Sequence, residues 1–517
     1  MSAQSVFTRQ DVAAHNSASS AWIVIDSLVY DITKFAAIHP GGEGILLALA
    51  GKDVTDDFFA LHKVSVLQKY GPKLIVGKIA DSEYSAILEM AKPGTISKVP
   101  YSEPSYLQGL KTPYYKPTHE AFRAAVRKFV EEELIPDAQT LDEQGKYPSI
   151  ETFRKMGQFG LLAARMGPGP HLQLVSLPSG VRAEEFDYFH EMIAHEEIAR
   201  LGFPGYLDGL ATGMVIGLPP VLIFGAKKHP QVIRDVLSGN KRICLAITEP
   251  TAGSDVAQIS TTAVKSPCGK YYIVNGVKKW ITNGGFSDYF TTAVRTGGPG
   301  MSGISVLLIP RTEGVETKAI KTSYSPSAGT AYVVFENVKV PVENLLGKEN
   351  QGFQVIMHNF NHERWFIICG LVRSARMCIE ESFKWAHQRN VFGKKLIEQP
   401  VIRQKFAGMF AQVEGLQNWL ENITFQMNQM SYKEQSVKLA GPIALLKFQT
   451  TRVSTHISDE CCQIFGGRAI TKTGMGSKVE SFQRTFKFGS ILGGSEEIMA
   501  DLGIRQAIRE MPAYAKL

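Results

Sequence analysis

The sequence is poor in cysteine, and its cysteines are not spaced for structural use. Six occur among 517 residues, no two form a C-x-x-C pair, and Cys461 and Cys462 are adjacent. Neighbouring cysteines are badly placed to bridge each other, and tetrahedral zinc sites usually draw on closely spaced pairs. The pattern argues against a disulfide framework and a zinc finger, and it favours a reducing compartment.

Long apolar runs are also missing. The most apolar stretch, residues 214–224, contains Pro219-Pro220 and is shorter than the roughly 20 residues of a transmembrane helix. The first residues are polar and lack a basic-then-apolar leader, so the sequence predicts neither a membrane span nor a secretion signal. A composition of 44% hydrophobic and 20% charged residues is typical of soluble globular proteins.

Dense runs of one charge are absent as well. The formal net charge is +7, yet residues 1–79 contain as many acidic as basic residues, so the whole excess belongs to the remainder of the chain. A basic surface attracts nucleic acid or a phosphate-bearing small molecule, and the charge alone does not separate the two. Because no stretch is dense in lysine and arginine, we expect no nucleic-acid partner.

What the sequence does contain, near its start, is a pair of histidines in a short module. Two apolar strand-like runs precede His39-Pro40-Gly41-Gly42, which ends a helical segment with a turn. A helix over residues 54–62 would place Phe58 one turn before His62. Two neutral imidazoles on opposite sides of an iron leave it no open position, which suits electron transfer. Taken alone, each histidine is equally well a turn residue or a core residue.

The whole module resembles a cytochrome b5 domain over residues 5–80. The resemblance is carried by Phe35, His39-Pro40-Gly41-Gly42, residues 53–58, His62, Tyr70 and Val76-Gly77-Lys78-Ile79. It implies a small α+β heme-binding domain. It also implies a b-type heme whose iron has His39 and His62 as axial ligands.

Beyond this module the character of the sequence changes several times. Closely spaced prolines in residues 81–116 predict a linker with little regular structure. Helical periodicity follows in residues 117–242, alternating β-branched residues in 243–348, and long amphipathic helical patterns in 349–512. The pattern therefore predicts three further domains and a short tail, residues 513–517.

Two motifs in the strand region have the chemistry of a ligand site. The turn at residues 248–255 is rich in small residues and hydroxyls, which offer donors to a phosphate or to an electron-rich ligand edge. Trp280 and Thr282, two apart on a strand, would point to one face and form a flat wall beside a hydroxyl. Alone, the first motif is usually a capped turn and the second a core tryptophan beside a hairpin.

Together with later motifs, these residues resemble the acyl-CoA dehydrogenase family over residues 117–510. The later motifs are Arg389, Phe392-Gly393-Lys394, residues 463–467 and residues 493–498. The resemblance implies an all-α N-terminal domain, a β-barrel middle domain and an all-α C-terminal four-helix bundle. It implies an FAD site formed by Leu245, Ala246, Thr248, Gly253, Ser254, Trp280, Thr282, Arg389, Phe392, Gln463, Phe465, Gly466, Gly467, Ser495 and Glu497. Part of that site lies across a subunit interface in the family, which implies a homodimer or a homotetramer.

The resemblance also concerns the catalytic base. Much of the family carries its catalytic glutamate at the position of Gly493, which has no side chain. A subset, including long-chain and isovaleryl-CoA dehydrogenases, carries it on a helix in a Glu-Arg pair, and Glu363-Arg364 matches that pattern. The match implies that Glu363 is the base, that Arg364 orients the helix or contacts the CoA moiety, and that Ser254 and Gly494 lie at the substrate. A solvated Glu-Arg pair is the ordinary alternative.

The two resemblances together predict flavin-dependent α,β-dehydrogenation of a fatty acyl-CoA to a trans-2-enoyl-CoA, as in fatty-acid β-oxidation. The b-type heme, with its iron, is the expected electron-transfer partner of the flavin. The sequence does not reveal the acyl chain length. It leaves open whether the terminal electron acceptor is a flavoprotein, a quinone-linked protein or oxygen.

Three rival functions stay open. Ala515-Lys516-Leu517 resembles a C-terminal peroxisomal address, which predicts a peroxisome rather than the cytoplasm or the mitochondrion. That location favours the first rival, an acyl-CoA oxidase passing electrons to oxygen, although such oxidases usually carry an extra C-terminal helical domain.

The second rival is a catalytically idle, flavin-bound relative that binds nucleic acid or a protein partner, and Glu363-Arg364 counts against it. Nitroalkane oxidation, the third, typically uses an aspartate base.

Overall fold

The structure is a computed structural model. It describes residues 5–59, 61, 62, 64–80 and 92–516. Residues 81–91 of the predicted linker and Leu517 of the predicted address lie outside the described residues. In the part of the chain that is described, no helix combines the length and the apolar character needed to cross a bilayer.

The N-terminal domain is built on one five-stranded sheet. Its strands are β1 (Ser5–Phe7), β2 (Asn16–Ser17), β3 (Ser20–Ile25), β4 (Leu28–Asp31) and β5 (Ile75–Ile79). Its helices are α1 (Arg9–Ala13), α2 (Glu43–Leu49), α3 (Thr55–Phe59) and α4 (Val64–Tyr70). The strands lie in the order β1-β5-β4-β3-β2, with β1 parallel to β5 and the other pairs antiparallel.

Both faces of this sheet are apolar because side chains alternate along its strands. Ile23 and Ile25 of β3 pack with leucines of α2 and phenylalanines of α3. On the other face, Trp22 and Val24 pack with residues of α1 and β5. The face covered by α2 and α3 is the one that matters for function, because the histidine pair lies in the segments that precede α2 and α4.

A domain of short helices follows the linker, and its helices share one apolar core with the C-terminal helices. The helices are α5 (Pro117–Phe129), α6 (Ile135–Gln144), α7 (Ile150–Gln158), α8 (Leu161–Ala164), α9 (Tyr188–Ala199), α10 (Pro204–Gly209), α11 (Thr212–Gly217), α12 (Pro219–Phe224) and α13 (Pro230–Leu237). A π-helical turn, Val130–Leu134, joins α5 to α6. The helical periodicity of the sequence therefore corresponds to many short helices rather than a few long ones.

The middle domain is an eight-stranded sheet. Its strands are β6 (Ile243–Ala246), β7 (Thr262–Lys265), β8 (Tyr271–Ile281), β9 (Tyr289–Arg295), β10 (Ile304–Pro310), β11 (Val315–Ala319), β12 (Ala331–Pro341) and β13 (Leu345–Leu346). The order is β11-β12-β8-β7-β9-β10-β13, and β6 pairs in parallel with β9. Pairing of β8 with β12 is interrupted by a register shift between Ala331 and Val333.

The C-terminal domain consists of long helices. They are α14 (Gly352–Gln388), α15 (Pro400–Gln429), α16 (Tyr432–Lys438), α17 (Ala440–Phe465), α18 (Ser477–Gly489) and α19 (Glu496–Glu510). A small hairpin of β14 (Asn390–Val391) and β15 (Lys394–Lys395) follows α14. Helix α14 packs on α9, α15 and α17 and also reaches β10, so it contacts both earlier domains. The predicted fold class, a small α+β domain followed by helical, β and helical domains, is confirmed.

A buried charge network attaches the described part of the linker to the helical body. Glu103 is fully buried, and its carboxylate lies 2.7 Å from Arg127 Nη1 of α5 and 2.9 Å from Arg373 Nη2 of α14. Arg127 also meets Glu197 of α9 at 2.8 Å. A buried charge is tolerated only when it is paired, so these contacts hold residues 92–116 in one place.

Candidate active site and redox centres

His39 and His62 face each other across a gap in the N-terminal domain. Their ring centroids are 6.0 Å apart and the rings are tilted by 53°. The Nδ1 atom of each lies 3.3 Å from a backbone carbonyl oxygen, that of Gly42 for His39 and that of Phe58 for His62. Metal-bound histidines commonly donate one ring N–H to such an oxygen, which leaves Nε2 free to act as the ligand.

The two glycines after Pro40 have separate structural reasons. A Cβ atom at Gly41 would lie 2.7 Å from Cε1 of His39, so any larger residue would displace the imidazole. Gly42 has a φ of +95° as it begins α2, a conformation that glycine adopts without steric cost. The His-Pro-Gly-Gly sequence is therefore what holds His39 in its orientation.

Several apolar side chains close in sequence to the two histidines are exposed. Ile38 is 72% exposed, Leu61 51% and Ile45 47%, whereas Phe58 stacks on His62 with centroids 4.7 Å apart. Burial lowers the pKa of His62, although the Phe58 carbonyl opposes the shift, so the imidazole stays neutral, as a ligand must. Two facing imidazoles beside exposed apolar side chains fit a flat iron porphyrin. The described helix α3 ends at Phe59, before the predicted end at His62.

In the middle domain, a buried glutamate organises the hydroxyl-rich turn. The Glu249 carboxylate lies 2.7 Å from Lys278 Nζ of β8 and accepts hydrogen bonds from the backbone N–H groups of Ser260 and Thr261. Burial alone would raise the pKa of Glu249, but Lys278 and these donors lower it to about 2. The turn thereby keeps a fixed shape while Ser254 and Gly253 stay exposed at its surface.

Trp280 is placed by a bulge that the sequence pattern did not predict. Ala331 pairs with Ile281 and Val333 pairs with Lys278, so Tyr332 alone stands opposite two residues of β8. Trp280 has a φ of +64° and remains 48% exposed, whereas Thr282 is buried just beyond the end of the strand. Simple alternation therefore fails here, because a bulge adds an unpaired residue and turns the strand. The exposed indole fits a flat ligand such as an isoalloxazine.

The other residues predicted to hold FAD lie at the surface or contribute backbone. Arg389 and Gln463 are exposed, as is Phe392 (97%) at the tip of the β14–β15 hairpin. No atom lies within 4 Å of a Cβ built at Gly466 or Gly467, which leaves room beside their backbone for a diphosphate. These placements fit a large ligand, and the contacts themselves stay predictions.

Some predicted FAD residues have side chains that are already engaged. Phe465 is buried and stacks on Trp385 with centroids 5.7 Å apart. The Ser495 hydroxyl caps α19 by accepting a hydrogen bond from Ile498 N–H, and Glu497 is exposed in the first turn of that helix. Any contribution of Phe465 to a cofactor site would therefore come from its backbone. The same holds for Ala246, whose side chain is buried in β6 next to half-buried Leu245.

Glu363 is a buried carboxylate on α14 without a hydrogen-bond partner for its Oε2 among the described residues. It is 9% exposed. Burial raises its pKa to about 7, although Arg364, Lys447 and His362 oppose the shift. A carboxylate whose pKa lies near neutrality is suited to general base catalysis, and an unpaired one in a cavity wall has room for a substrate.

Gly493 lies directly beside that carboxylate. A Cβ atom built at Gly493 would be 3.8 Å from Glu363 Oε1 and 3.0 Å from Cδ1 of Ile367. Gly493 also has a φ of +61°. The two positions between which the family divides its base therefore converge on one point in this fold, and only Glu363 supplies a carboxylate there.

Two cations hold the loop that contains Gly493. Arg364 Nε donates to the Gly493 carbonyl at 3.0 Å. Lys447 of α17, which is not among the predicted site residues, donates to the Gly494 carbonyl at 2.8 Å and to the Gly489 carbonyl at 3.1 Å. Arg364 thus acts on the loop from its own helix, and Lys447 places a second positive charge near Glu363. No local motif marks a buried lysine on a helix.

Glu363 lines two cavities. One is a narrow apolar cleft that Leu245 and Ile247 border. The other, of about 110 Å³, includes Thr282 together with apolar residues of α14 and α18. A carboxylate in the wall of a largely apolar cavity can remove a proton from a bound acyl chain.

Comparison with known proteins agrees with this geometry. Residues 116–239, 244–338 and 350–508 match the N-terminal, middle and C-terminal domains of acyl-CoA dehydrogenase, and residues 8–80 match the cytochrome b5-like heme/steroid binding domain. The chain is 41% identical to acyl-CoA dehydrogenase apdG of Emericella nidulans, over 81% of this chain and 98% of that protein. It is 37% identical to acyl-CoA dehydrogenase AFT10-1 of Alternaria alternata, over 80% and 97%.

A solved structure shows the same likeness. The acyl-CoA dehydrogenase from Geobacillus kaustophilus is 26% identical, with a TM-score of 0.67 over 77% of this chain and 100% of that one. The cytochrome b5-like match, residues 8–80, precedes the three acyl-CoA dehydrogenase matches along the chain. The chain therefore belongs to the acyl-CoA dehydrogenase family, an FAD-dependent family of oxidoreductases, and joins it to a cytochrome b5-like heme domain.

Proposed function

We propose that this protein oxidises a fatty acyl-CoA to a trans-2-enoyl-CoA with Glu363 as the catalytic base. The observation that carries the proposal is the unpaired Glu363 carboxylate, buried beside Gly493 and exposed to two cavities. Bound FAD would supply the acceptor for the β hydrogen. Glu363 would take the α proton, and Lys447 and Arg364 would keep the 489–494 loop closed around it.

Glu363→Gln tests the base. General base catalysis contributes about 10²–10⁴-fold, so the rate of anaerobic flavin bleaching by acyl-CoA should fall by that factor while acyl-CoA still binds. Glu120→Gln, on the exposed side of α5, is the matched control and should bleach at the wild-type rate. Full-rate bleaching by Glu363→Gln would disprove the assignment.

We also propose that the heme domain receives the electrons. Two facing imidazoles leave a bound iron no open position, which favours electron transfer. In addition, Asp56 Oδ2 of α3 lies 3.4 Å from Lys395 Nζ of β15. Lys395 is part of the hairpin that is predicted to hold FAD. Acyl-CoA added without oxygen should therefore reduce the heme after the flavin. If the flavin bleaches and the heme stays oxidised, the heme serves another purpose.

An acyl-CoA oxidase is the second candidate. It differs in one measurable quantity, the hydrogen peroxide formed per enoyl-CoA. We expect a yield far below one with the heme domain intact, because the heme competes with oxygen for electrons.

We further propose that a partner subunit completes the FAD site. Light scattering of the FAD-loaded protein checks this, and a monomer with full FAD content would contradict it.

A further inference from the structure

The larger cavity beside Glu363 is not purely apolar. Its wall on the side of the N-terminal helical domain includes Arg165, His195, Asp208 and Thr212, all buried. A hydrocarbon chain makes no use of such groups, and burying them costs free energy unless they are hydrogen-bonded. These side chains therefore need either partners in the protein or a polar ligand.

Asp208 has its partners within the protein. Its Oδ1 accepts a hydrogen bond from the Thr212 hydroxyl at 2.9 Å, and its Oδ2 accepts one from the Tyr324 hydroxyl at 2.7 Å. His195 Nε2 lies 3.4 Å from Glu191 Oε1, which also receives His362 at 2.6 Å. Asp208 and the Oε1 atom of Glu191 are thus engaged by groups other than Arg165.

Arg165 is the group left with free donors. It is 1% exposed, and its hydrogen bond among the described residues runs from Nη1 to the Leu210 carbonyl at 2.5 Å. Its buried Nε has no partner among the described residues, and no carboxylate of those residues lies within ion-pair distance. Asp208 and Glu191 act on it only through space, and burial lowers its pKa to about 10, so it stays charged at neutral pH. A buried guanidinium with spare donors is a binding group.

We propose that the acyl chain of the substrate carries an oxygen acceptor beyond the thioester, a hydroxyl, keto or carboxylate oxygen, and that Arg165 binds it. The inference rests on the proposed function, because the same cavity must hold the acyl chain beside Glu363. Arg165 would then be a specificity residue. It lies in the cavity wall, forms no ion pair with the described residues, and would bind the acyl chain without taking part in the reaction.

The test compares acyl-CoAs of equal chain length that are unsubstituted, ω-hydroxylated, ω-oxidised to a methyl ketone, or ω-carboxylated. Oxygenated chains should exceed the unsubstituted chain in kcat/KM by at least about tenfold, the scale of a hydrogen bond to a charged group. Arg165→Leu should remove that preference, and Arg165→Lys, which retains a cation, should keep part of it. Arg154→Leu, at an exposed position of α7, is the charge-matched control.

Binding provides a second readout. In the Glu363→Gln background, calorimetry with the four acyl-CoAs should show the same order of affinities, lost in the Arg165→Leu double variant. Equal kcat/KM and equal affinity for all four chains would overturn the proposal while leaving dehydrogenation intact. A preference that survives Arg165→Leu in protein of unchanged melting temperature would also overturn it. If the wild-type protein turns over none of the four acyl-CoAs while the order of affinities is retained, the dehydrogenase proposal is refuted instead.

Discussion

His39 and His62 belong to one small domain, whereas the side chains around Glu363 come from three. The heme site needs a turn, two short helices and a sheet, all within residues 5–80. The cavity beside Glu363 combines Arg165 of the helical domain, Thr282 of the middle domain and residues of the C-terminal helices. A site made of neighbouring segments depends on local folding, but a site made of distant ones depends on how whole domains pack.

The largest expected effect concerns the heme site, which is built within one domain. His39→Ala or His62→Ala should remove the visible spectrum of a six-coordinate, bis-imidazole heme, because one imidazole leaves an open position on the iron. Flavin bleaching by acyl-CoA should continue, because Glu363 lies in another domain. His15→Ala is the control, since His15 stacks on Trp22 at 3.5 Å instead. A wild-type heme spectrum in either ligand variant would contradict the assignment.

The distributed site should be sensitive to contacts far from the chemistry. Glu103→Gln leaves Arg127 and Arg373 buried with a lost ion-pair partner, which should cost about 3–5 kcal/mol of unfolding free energy. Denaturant titration followed by flavin fluorescence should show the loss, while the Soret transition of the heme domain stays in place. Glu120→Gln serves as the control, and a loss below about 1 kcal/mol would match a surface pair instead.

The next prediction concerns how the rate of flavin reduction depends on pH. Glu363 must be ionised to accept a proton, and its pKa is about 7, so the rate of flavin reduction should rise as pH increases through that value. Lys447→Met removes a cation that lowers this pKa, and the rising limb should move up by about one pH unit. Lys438→Met, at an exposed site on α16, should leave the limb in place. A rate that does not change as the pH passes through about 7 would contradict the assignment.

The smallest effect concerns the contact between the two regions. The Asp56–Lys395 pair is exposed at Asp56 (81%), so it should contribute less than about 1 kcal/mol to stability. Lys395→Glu should nevertheless slow heme reduction at low salt by placing like charges together, and Asp56→Lys in the same chain should restore the rate. Stopped-flow absorbance at two ionic strengths measures this, and salt-independent rates would exclude a role for the pair.

Where local pattern and structure agree, neighbouring residues carry the information. The alternation of β3, the turn glycines beside His39 and the helix around Glu363 all depend on near sequence neighbours. Trp280 departs from its pattern because β12 offers one residue where β8 presents two. The predicted helix over residues 54–62 is too long: α3 is described over Thr55–Phe59, and Leu61 and His62 are not helical. The Phe58–His62 ring contact is nevertheless kept.

Periodicity, turn chemistry and family motifs were sufficient to identify the order of domains, the histidine pair and the Glu363-Arg364 pair, since each is written in contiguous residues. The surroundings of the Glu363 side chain could not be identified in this way. Gly493, Lys447 and Arg165 reach it or its cavity from remote parts of the chain, and burial, which only packing creates, raises its pKa and leaves Arg165 with free donors. Desolvation and long-range proximity have no signature in a linear string of residues.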